Sequence, residues 1–326
     1  MIKTLRLIAT LAAALTLAPA AIAQIQAQAY PSKPVKIIVP FSPGTAADIV
    51  ARRLGTRLSE MWGQGVVIEN LAGAGGNIGA GKVAQSAPDG YTLMMVGINH
   101  VINPSLYKDV PYDLARDFRP VVRVAVAPLA IVANSKFGPN NMQELIALAK
   151  AKPDSIRYGS GGNGSITHLS IELIKSRMGI QMIHVPYKSV APMLTDMLGG
   201  QIEIGSPAAA SVVSHAKAGT LKILAVTTAK RTSAMPNVPS MQESGVPDYD
   251  VASWNGLLAP TGTPDAVVEK IYADVKKVAQ SKEFIEQLQL QAMDVSLMQP
   301  EVFGPFLMAE LDKWSKLVRE SGAKVD

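Results

Sequence analysis

The chain has 326 residues, of which 48% are hydrophobic, 17% charged and 5% aromatic, and its formal net charge is +5. This composition is globular: too apolar for a disordered chain, too mixed for a membrane bundle, and long enough for about two domains of roughly 100–200 residues. There is no cysteine, which excludes disulfides, thiolate metal sites and a cysteine nucleophile, and the four histidines lack the H-x-x-x-H spacing of a zinc site.

Lys3 and Arg6 precede the apolar run Leu7–Leu17, with Ala21-Ile22-Ala23 before Gln24. A positive start, a short apolar stretch and small residues at a cut predict a secretory leader over 1–23, with an alternative cut after 29. The run is short against the ~20 residues that span a bilayer, so an anchor is the weaker reading. Losing Lys3 and Arg6 takes the charge from +5 to +3 without a basic cluster. No nucleic-acid footprint and no stable membrane insertion after cleavage are expected.

Val35–Pro40 is a short apolar run that predicts a buried strand. The loop Phe41–Thr45 leads to a helical face at Ile49, Val50, Leu54, Leu58 and Met61. Val66–Ile68 reads as a strand, Gly73–Asn77 as a loop before a short helix, and Tyr91–Val96 as a third strand. This strand-helix alternation implies a parallel sheet with right-handed crossovers. Val121–Val132 reads as a strand pair crossing to a second lobe, and Asn141 caps a helix with Glu144 three residues on. Strands follow at Ile156–Tyr158, Met182–Val185, Ile202–Ile204 and Ile223–Val226, with helices at Ser165–Met178, Ala191–Leu198 and Ala208–Lys217. After a turn-rich stretch from Ser233 to Asp250, Val251–Ala259 reads as a strand returning to the first lobe. Thr263-Pro264-Asp265 predicts a helix with Thr263 as N-cap, and a last helix covers about Glu301–Arg319. Hinges are expected near Val124–Ala130 and Trp254–Ala259.

The fold expected is α/β, a two-lobed clamshell with each lobe a mostly parallel sheet flanked by helices and two crossover strands as hinge. Residues 30–125 plus 254–326 form lobe 1 and residues 126–253 lobe 2. Ligands of such sheets bind beyond the carboxyl ends of the strands, here in the cleft between lobes.

Gly159–Gly164 matches G-x-G-x-x-G between a strand and a helix, but no acid for a ribose precedes Asp196. No nucleotide or other cofactor is therefore expected. The simpler chemistry is a Gly/Ser loop at a helix start, whose backbone N–H groups favour an anion. Ser160, Gly161, Asn163, Gly164, Ser165 and Thr167 form one such loop; Phe41, Ser42, Gly44, Thr45 and Ala46 form its counterpart in the first lobe. Each offers an uncharged, donor-rich pocket for one carboxylate; the competing reading makes these glycines tight turns only. His184 and Tyr187 end a strand towards the cleft, and Ser206 follows the strand at Ile202–Ile204. His168 reads as a capping or packing residue, His100 and His215 as surface or loop residues, and Asp48 as a loop anchor. Arg52 and Arg53 read as a solvated face. No G-x-S-x-G elbow and no nucleophile–base pair point to an enzyme.

Several strings together carry a resemblance: Val39–Gly44 with Asp48, Glu69-Asn70 with Gly73–Gly79, Pro88–Leu93, Gly159-Ser160 with Gly164-Ser165 and His168-Leu169. His184–Lys188, Leu224–Thr227 with Arg231, Pro236–Pro239 and Trp254–Gly256 complete it. In this order behind a leader, the chain resembles the Bug family of extracytoplasmic solute receptors, the binding proteins of tripartite tricarboxylate transporters. The resemblance covers essentially the whole mature chain. It implies a Venus-flytrap periplasmic-binding fold that captures small carboxylates and hands them to membrane permease subunits, with the loops at Phe41–Ala46 and Ser160–Thr167 as the carboxylate-binding ones. Two departures stand out. Thr45 occupies a position where the family commonly has glycine. The loop Gly205–Ala210 lacks the aspartate many members carry, which disfavours an ammonium-bearing ligand and favours a non-amino di- or aromatic carboxylate. A ligand-sensing subunit for a membrane sensor kinase is the alternative of a different class, and an exported enzyme the remote one.

Overall fold

The computed structural model describes residues 30–324. The proposed leader lies outside the described residues. In chain order the strands are β1 (Val35–Val39), β2 (Val66–Asn70), β3 (Thr92–Gly97), β4 (Phe118–Pro128), β5 (Ala130–Asn134), β6 (Arg157–Ser160), β7 (Ile183–Pro186), β8 (Ile204–Gly205), β9 (Leu221–Val226), β10 (Ala252–Pro260) and β11 (Asp294–Met298). The helices are α1 (Ala46–Trp62), α2 (Asn77–Ala84), α3 (Asn99–Leu106), α4 (Met142–Ala151), α5 (Ile166–Met178), α6 (Val190–Leu198), α7 (Val213–Lys217), α8 (Asp265–Ala279), α9 (Lys282–Gln289) and α10 (Pro300–Ser321).

Two sheets organise them, in the orders β11-β4-β10-β3-β1-β2 and β7-β6-β8-β5-β9. Expected to be mostly parallel, each sheet is mixed. β2-β1-β3 and β7-β6-β8 are parallel, but β10 pairs antiparallel with both β3 and β4, and β5 with β8 and β9. The cause is the crossing: a strand returning from the other lobe enters from the opposite end. The chain crosses between β4 and β5 at Leu129 and again just before β10, where the Val251 N–H still bonds the Thr227 carbonyl. Trp254–Ala259 therefore lies inside β10 rather than at the second crossing. Gly256 in that strand has no room for a side chain, since a Cβ would meet the Val122 carbonyl oxygen at 2.6 Å.

The sequence patterns explain the packing. On α1, Val50, Leu54 and Leu58 repeat every four residues and are fully buried against the first sheet, and Gly63 ends the helix in the left-handed conformation. The Asn141 side chain accepts from the Glu144 N–H as expected of a cap. Thr263 does not cap α8: its hydroxyl bonds the Pro260 carbonyl, and the cap position falls on Pro264. The helix expected over Ala208–Lys217 is broken into a 3-10 turn at Ala209–Ser211 and the short α7, and β8 retains only two residues. α10 packs on α3 and β4 and reaches α5 of the second lobe, and one apolar cluster, including Leu169, Tyr249, Trp254, Phe303 and Trp314, runs continuously between the lobes on that side. Among the described residues no helix is long and apolar enough to cross a membrane.

Candidate functional site

The parallel strands of both sheets end towards one cavity of about 700 Å³. Its lining reads as a roll of strand-end loops: Thr45 after β1, Gly75 after β2, Asn99 after β3, Gly161–Thr167 after β6 and Lys188-Ser189 after β7. This is where the carboxyl ends of α/β strands leave room for a ligand.

The first-lobe loop is held from beneath. Gly44 takes a positive φ of 82° and donates its N–H to Asp48 Oδ2 at 2.9 Å. Asp48 is buried, and also accepts from Arg52 Nε at 3.0 Å and Asn70 Nδ2 at 2.8 Å; Asn70 bonds the Phe41 carbonyl as well. Burial alone would raise the Asp48 pKa, but the hydrogen bonds from Arg52, Gly44 and Asn70 outweigh it, so the carboxyl sits below its ordinary value. Asp48 is thus the loop anchor the sequence suggested. Thr45 donates its hydroxyl to the Ser42 carbonyl at 2.9 Å, so its proton serves the turn rather than the cavity.

The second-lobe loop is held in the same manner. Thr167 Oγ1 accepts the Gly161 N–H at 2.8 Å, the Ser165 hydroxyl donates to the Gly162 carbonyl at 2.7 Å, and Ser165 caps α5. Gly164, with a φ of 73°, lies against Leu106 of α3; a Cβ there would meet the leucine at 2.8 Å. The hydroxyls of Thr45, Ser165 and Thr167 are spent on shaping the loops, and further donors are the first-turn N–H groups, which a helix cannot satisfy internally. Those of Ala46 and Ala47 on α1, and of Ile166 and Thr167 on α5, have no partner among the described residues.

Of the residues expected at the site, Thr45, Gly161, Asn163, Gly164, Ser165 and Thr167 line this cavity. The others do not. Phe41 packs edge-on against His100, Ser42 and Gly44 shape the turn, and Ala46 borders a smaller cavity of about 170 Å³ with Ala127 and Ala208. Tyr187 donates to Asp196 at 2.7 Å. Ser206 is fully buried, and its hydroxyl has no partner among the described residues. Ser160 is also buried, with its hydroxyl 2.7 Å from His184 Nε2. His184 stacks on His168 at 3.8 Å, and His168 Nδ1 accepts the Gly164 N–H at 3.1 Å. Burial, and for His184 the facing His168, pushes both imidazoles down to about 4, so they are neutral props beneath the loop. His100, expected at the surface, is wholly buried on α3, where its Nδ1 lies 3.1 Å from both the N–H and the carbonyl of Gly97.

Sequence reading missed Gly75, Asn99, Asn103, Tyr107, Lys188 and Ser189. One signal existed: a loop after the third parallel strand should also face the cleft, which points to Asn99. Lys188 is the one charged residue in the lining, and it forms no ion pair among the described residues. The rest of the wall is neutral, with Ile102, Leu106, Ile166 and Val190 apolar.

The profile of the tripartite tricarboxylate transporter family receptors matches residues 50–323. The chain belongs to that family. Protein BugT of Bordetella pertussis is 34% identical to this receptor over 305 residues, 93% of this chain and 94% of the relative. Among solved structures, R. palustris Rpa4515 with adipate superposes with a TM-score of 0.75 at 34% identity, covering 91% of this chain and 100% of that one. MatC of Rhodopseudomonas palustris with bound malate gives 0.70 at 28% identity, covering 89% and 100%. The receptor is thus a solute-binding protein of the two-lobed type.

Proposed function

We propose that this receptor captures a small non-amino carboxylate, a di-acid or an aromatic acid, in the cavity between its lobes, in the periplasm, and delivers it to a tripartite tricarboxylate-type permease. Phe41–Ala46 and Ser160–Thr167 form the two carboxylate loops, the backbone N–H groups at the starts of α1 and α5 being the donors. His184, Tyr187 and Ser206 act from behind them, outside the cavity lining. The observation that carries the reading is the charge inventory of the cavity: neutral donors, apolar walls, one lysine and no carboxylate. A buried ammonium would need a counter-charge that this lining lacks, whereas a carboxylate suits helix N-termini. Lys188, an exposed residue of the lining, would attract an anion and favours a second carboxylate at the ligand's far end. Similar receptors solved with adipate and malate support this class. The periplasmic location rests on the leader-like first residues.

Capture proceeds without chemistry. The Ser160–His184 pair is buried behind its loop rather than exposed to the cavity, and an imidazole lowered to about 4 is a poor general base at neutral pH. A ligand touching both loops binds the closed arrangement better than the open one, and this differential affinity is what drives closure. The two lobes, which the chain joins at Leu129 and just before β10, would move against each other as units.

The test is a thermal-shift screen of the mature receptor, unfolded and refolded to strip carried ligand, against mono-, di- and tricarboxylates, aromatic acids, aspartate, glutamate and NAD. A ligand at 100 times its dissociation constant adds about 2.7 kcal/mol, a rise of several degrees for a chain of this size. The expected result is a rise with one carboxylate class, larger for a di-acid than for its mono-acid. A rise with aspartate or glutamate alone would refute the non-amino assignment; a rise with no carboxylate would refute the site.

A further inference from the structure

A second cavity, of about 630 Å³, lies where the two crossings of the chain meet, lined by both lobes. The first lobe supplies Arg123 and Val126 of β4, Trp254 of β10, Asp294–Ser296 of β11, and Phe306 and Glu310 of α10; the second supplies residues 228–233 and Asp250. Neither carboxylate loop contributes to it.

The polar groups do not balance. Each carboxylate has a donor from the protein: Asp294 from the Ser233 hydroxyl, Asp250 from the Ala229 N–H, and Glu310 from Trp254, Trp314 and Lys313. Arg231 is spent on Glu243. Arg123 and Lys230 are not. The Arg123 guanidinium bonds the carbonyl and hydroxyl of Ser296 and lies 4.8 Å over the Phe306 ring, with no carboxylate at ion-pair distance among the described residues. Asp250 and Glu310 act on it only at longer range, and burial still lowers its pKa. Lys230 has no ion pair among the described residues either. Thr232 is 6% exposed, and its hydroxyl has no partner among the described residues. A partly buried guanidinium without an anion and a buried hydroxyl without a bond are both costly unless something supplies the missing acceptor.

We propose that this cavity is a second anion site, taking a small oxyanion that bridges Arg123 on the first lobe to Thr232 and Lys230 on the second. Because its groups come from both lobes beside the crossings, the anion favours one relative arrangement of the lobes, and so changes the affinity of the cleft for its own ligand, with the reciprocal effect on itself. The oxyanion is either inorganic or a second carboxylate molecule; the chemistry of the site is the same for both.

Trp254 lines the cavity and Trp314 shares its Glu310 partner, so tryptophan fluorescence is the readout. Refolded protein in chloride-free buffer would be titrated with sulfate, inorganic phosphate and adipate, in wild type, R123Q, T232V and K230Q, the last two guarding against misfolding of the first. Saturable binding is expected, weakened at least tenfold by R123Q and at least threefold by T232V and by K230Q. Saturation by sulfate or phosphate identifies an inorganic ligand, and adipate saturation that R123Q, T232V and K230Q all weaken identifies a second carboxylate. Absence of saturable binding by all three anions, or binding undiminished in T232V and K230Q, overturns the proposal. So does binding of a glutamate-rich peptide with no small anion, which would make the face a protein-docking surface.

Discussion

Asp48 shows how a single buried side chain can decide the shape of a loop beside the cavity that it does not itself line. Its two oxygens hold the Gly44 N–H, Asn70 and Arg52. The arginine is half exposed, so its ion pair adds little; the Gly44 and Asn70 bonds are the structural ones. Asp48→Ala strands those donors, which are only partly buried, so the cost is at the low end of the penalty for an unpaired donor, about 1 kcal/mol. The expected outcome is a melting point several degrees lower and carboxylate affinity reduced at least tenfold, with the circular dichroism spectrum unchanged. Unchanged affinity, measured by calorimetry, would remove the first-lobe loop from the site. The role of Asp48 was readable from its place in the first turn of a helix after a Pro-Gly turn. Lys188 and Asn103 were not, because nothing local marks them: they reach the cavity only when β7 and α3 are set beside the Gly161–Thr167 loop.

At the scale of elements, the second-lobe loop rests on a stack of rings. Tyr158 on β6, His168 on α5 and His184 on β7 lie nearly parallel, with centroid separations of 3.8 Å between the histidines and 4.9 Å between His184 and Tyr158. Glu172 and Lys175 of α5 also face the stack, the former accepting from the Tyr158 hydroxyl. Burial lowers His168, His184 and the separate His100 to about 4. The unfolded chain, with histidines near their ordinary 6.5, therefore binds more protons between about pH 4 and 6.5. Stability from these groups is complete above about 6.5 and is lost as pH falls towards 4. His100, fully buried, contributes roughly 3 kcal/mol of that change. Calorimetric melting between pH 7.5 and 4.5 should fall steadily below 6.5, and less steeply in the His168→Gln/His184→Gln double variant. A melting point flat from pH 7 to 5 would contradict neutral, buried imidazoles.

The same scale separates what sequence pattern reveals from what it hides. β1, α1, β3, β10 and α10 follow from apolar periodicity and end signals. α3 was hidden because Asn99, His100, Asn103 and Pro104 interrupt any apolar stripe; tertiary burial of His100 and Asn103 holds it instead. α9 is only two turns long, with Phe284 and Leu288 as its buried pair, and β11 is a half-exposed edge strand without clean alternation. The mixed strand directions were hidden too, since direction depends on which lobe a strand returns from.

For the whole molecule, the geometry joins two features: strand-end loops that face each other across one cavity, and two chain crossings beside a continuous apolar contact along α10. The contact limits how the lobes can part on that side, because a large hydrophobic interface resists separation. Fold alone would not assign a ligand; the charge inventory of the cavity is what supports the proposed class.

The most direct test of that account is a crystal structure of the refolded receptor with the carboxylate that shifts its melting point most. The account predicts one carboxylate at hydrogen-bond distance, about 2.7–3.2 Å, from the N–H groups at the start of α5, with the ligand also touching the Thr45 loop and no acidic side chain beside it. A ligand bound away from both loops, or one whose carboxylate is held by side-chain cations alone, would contradict it.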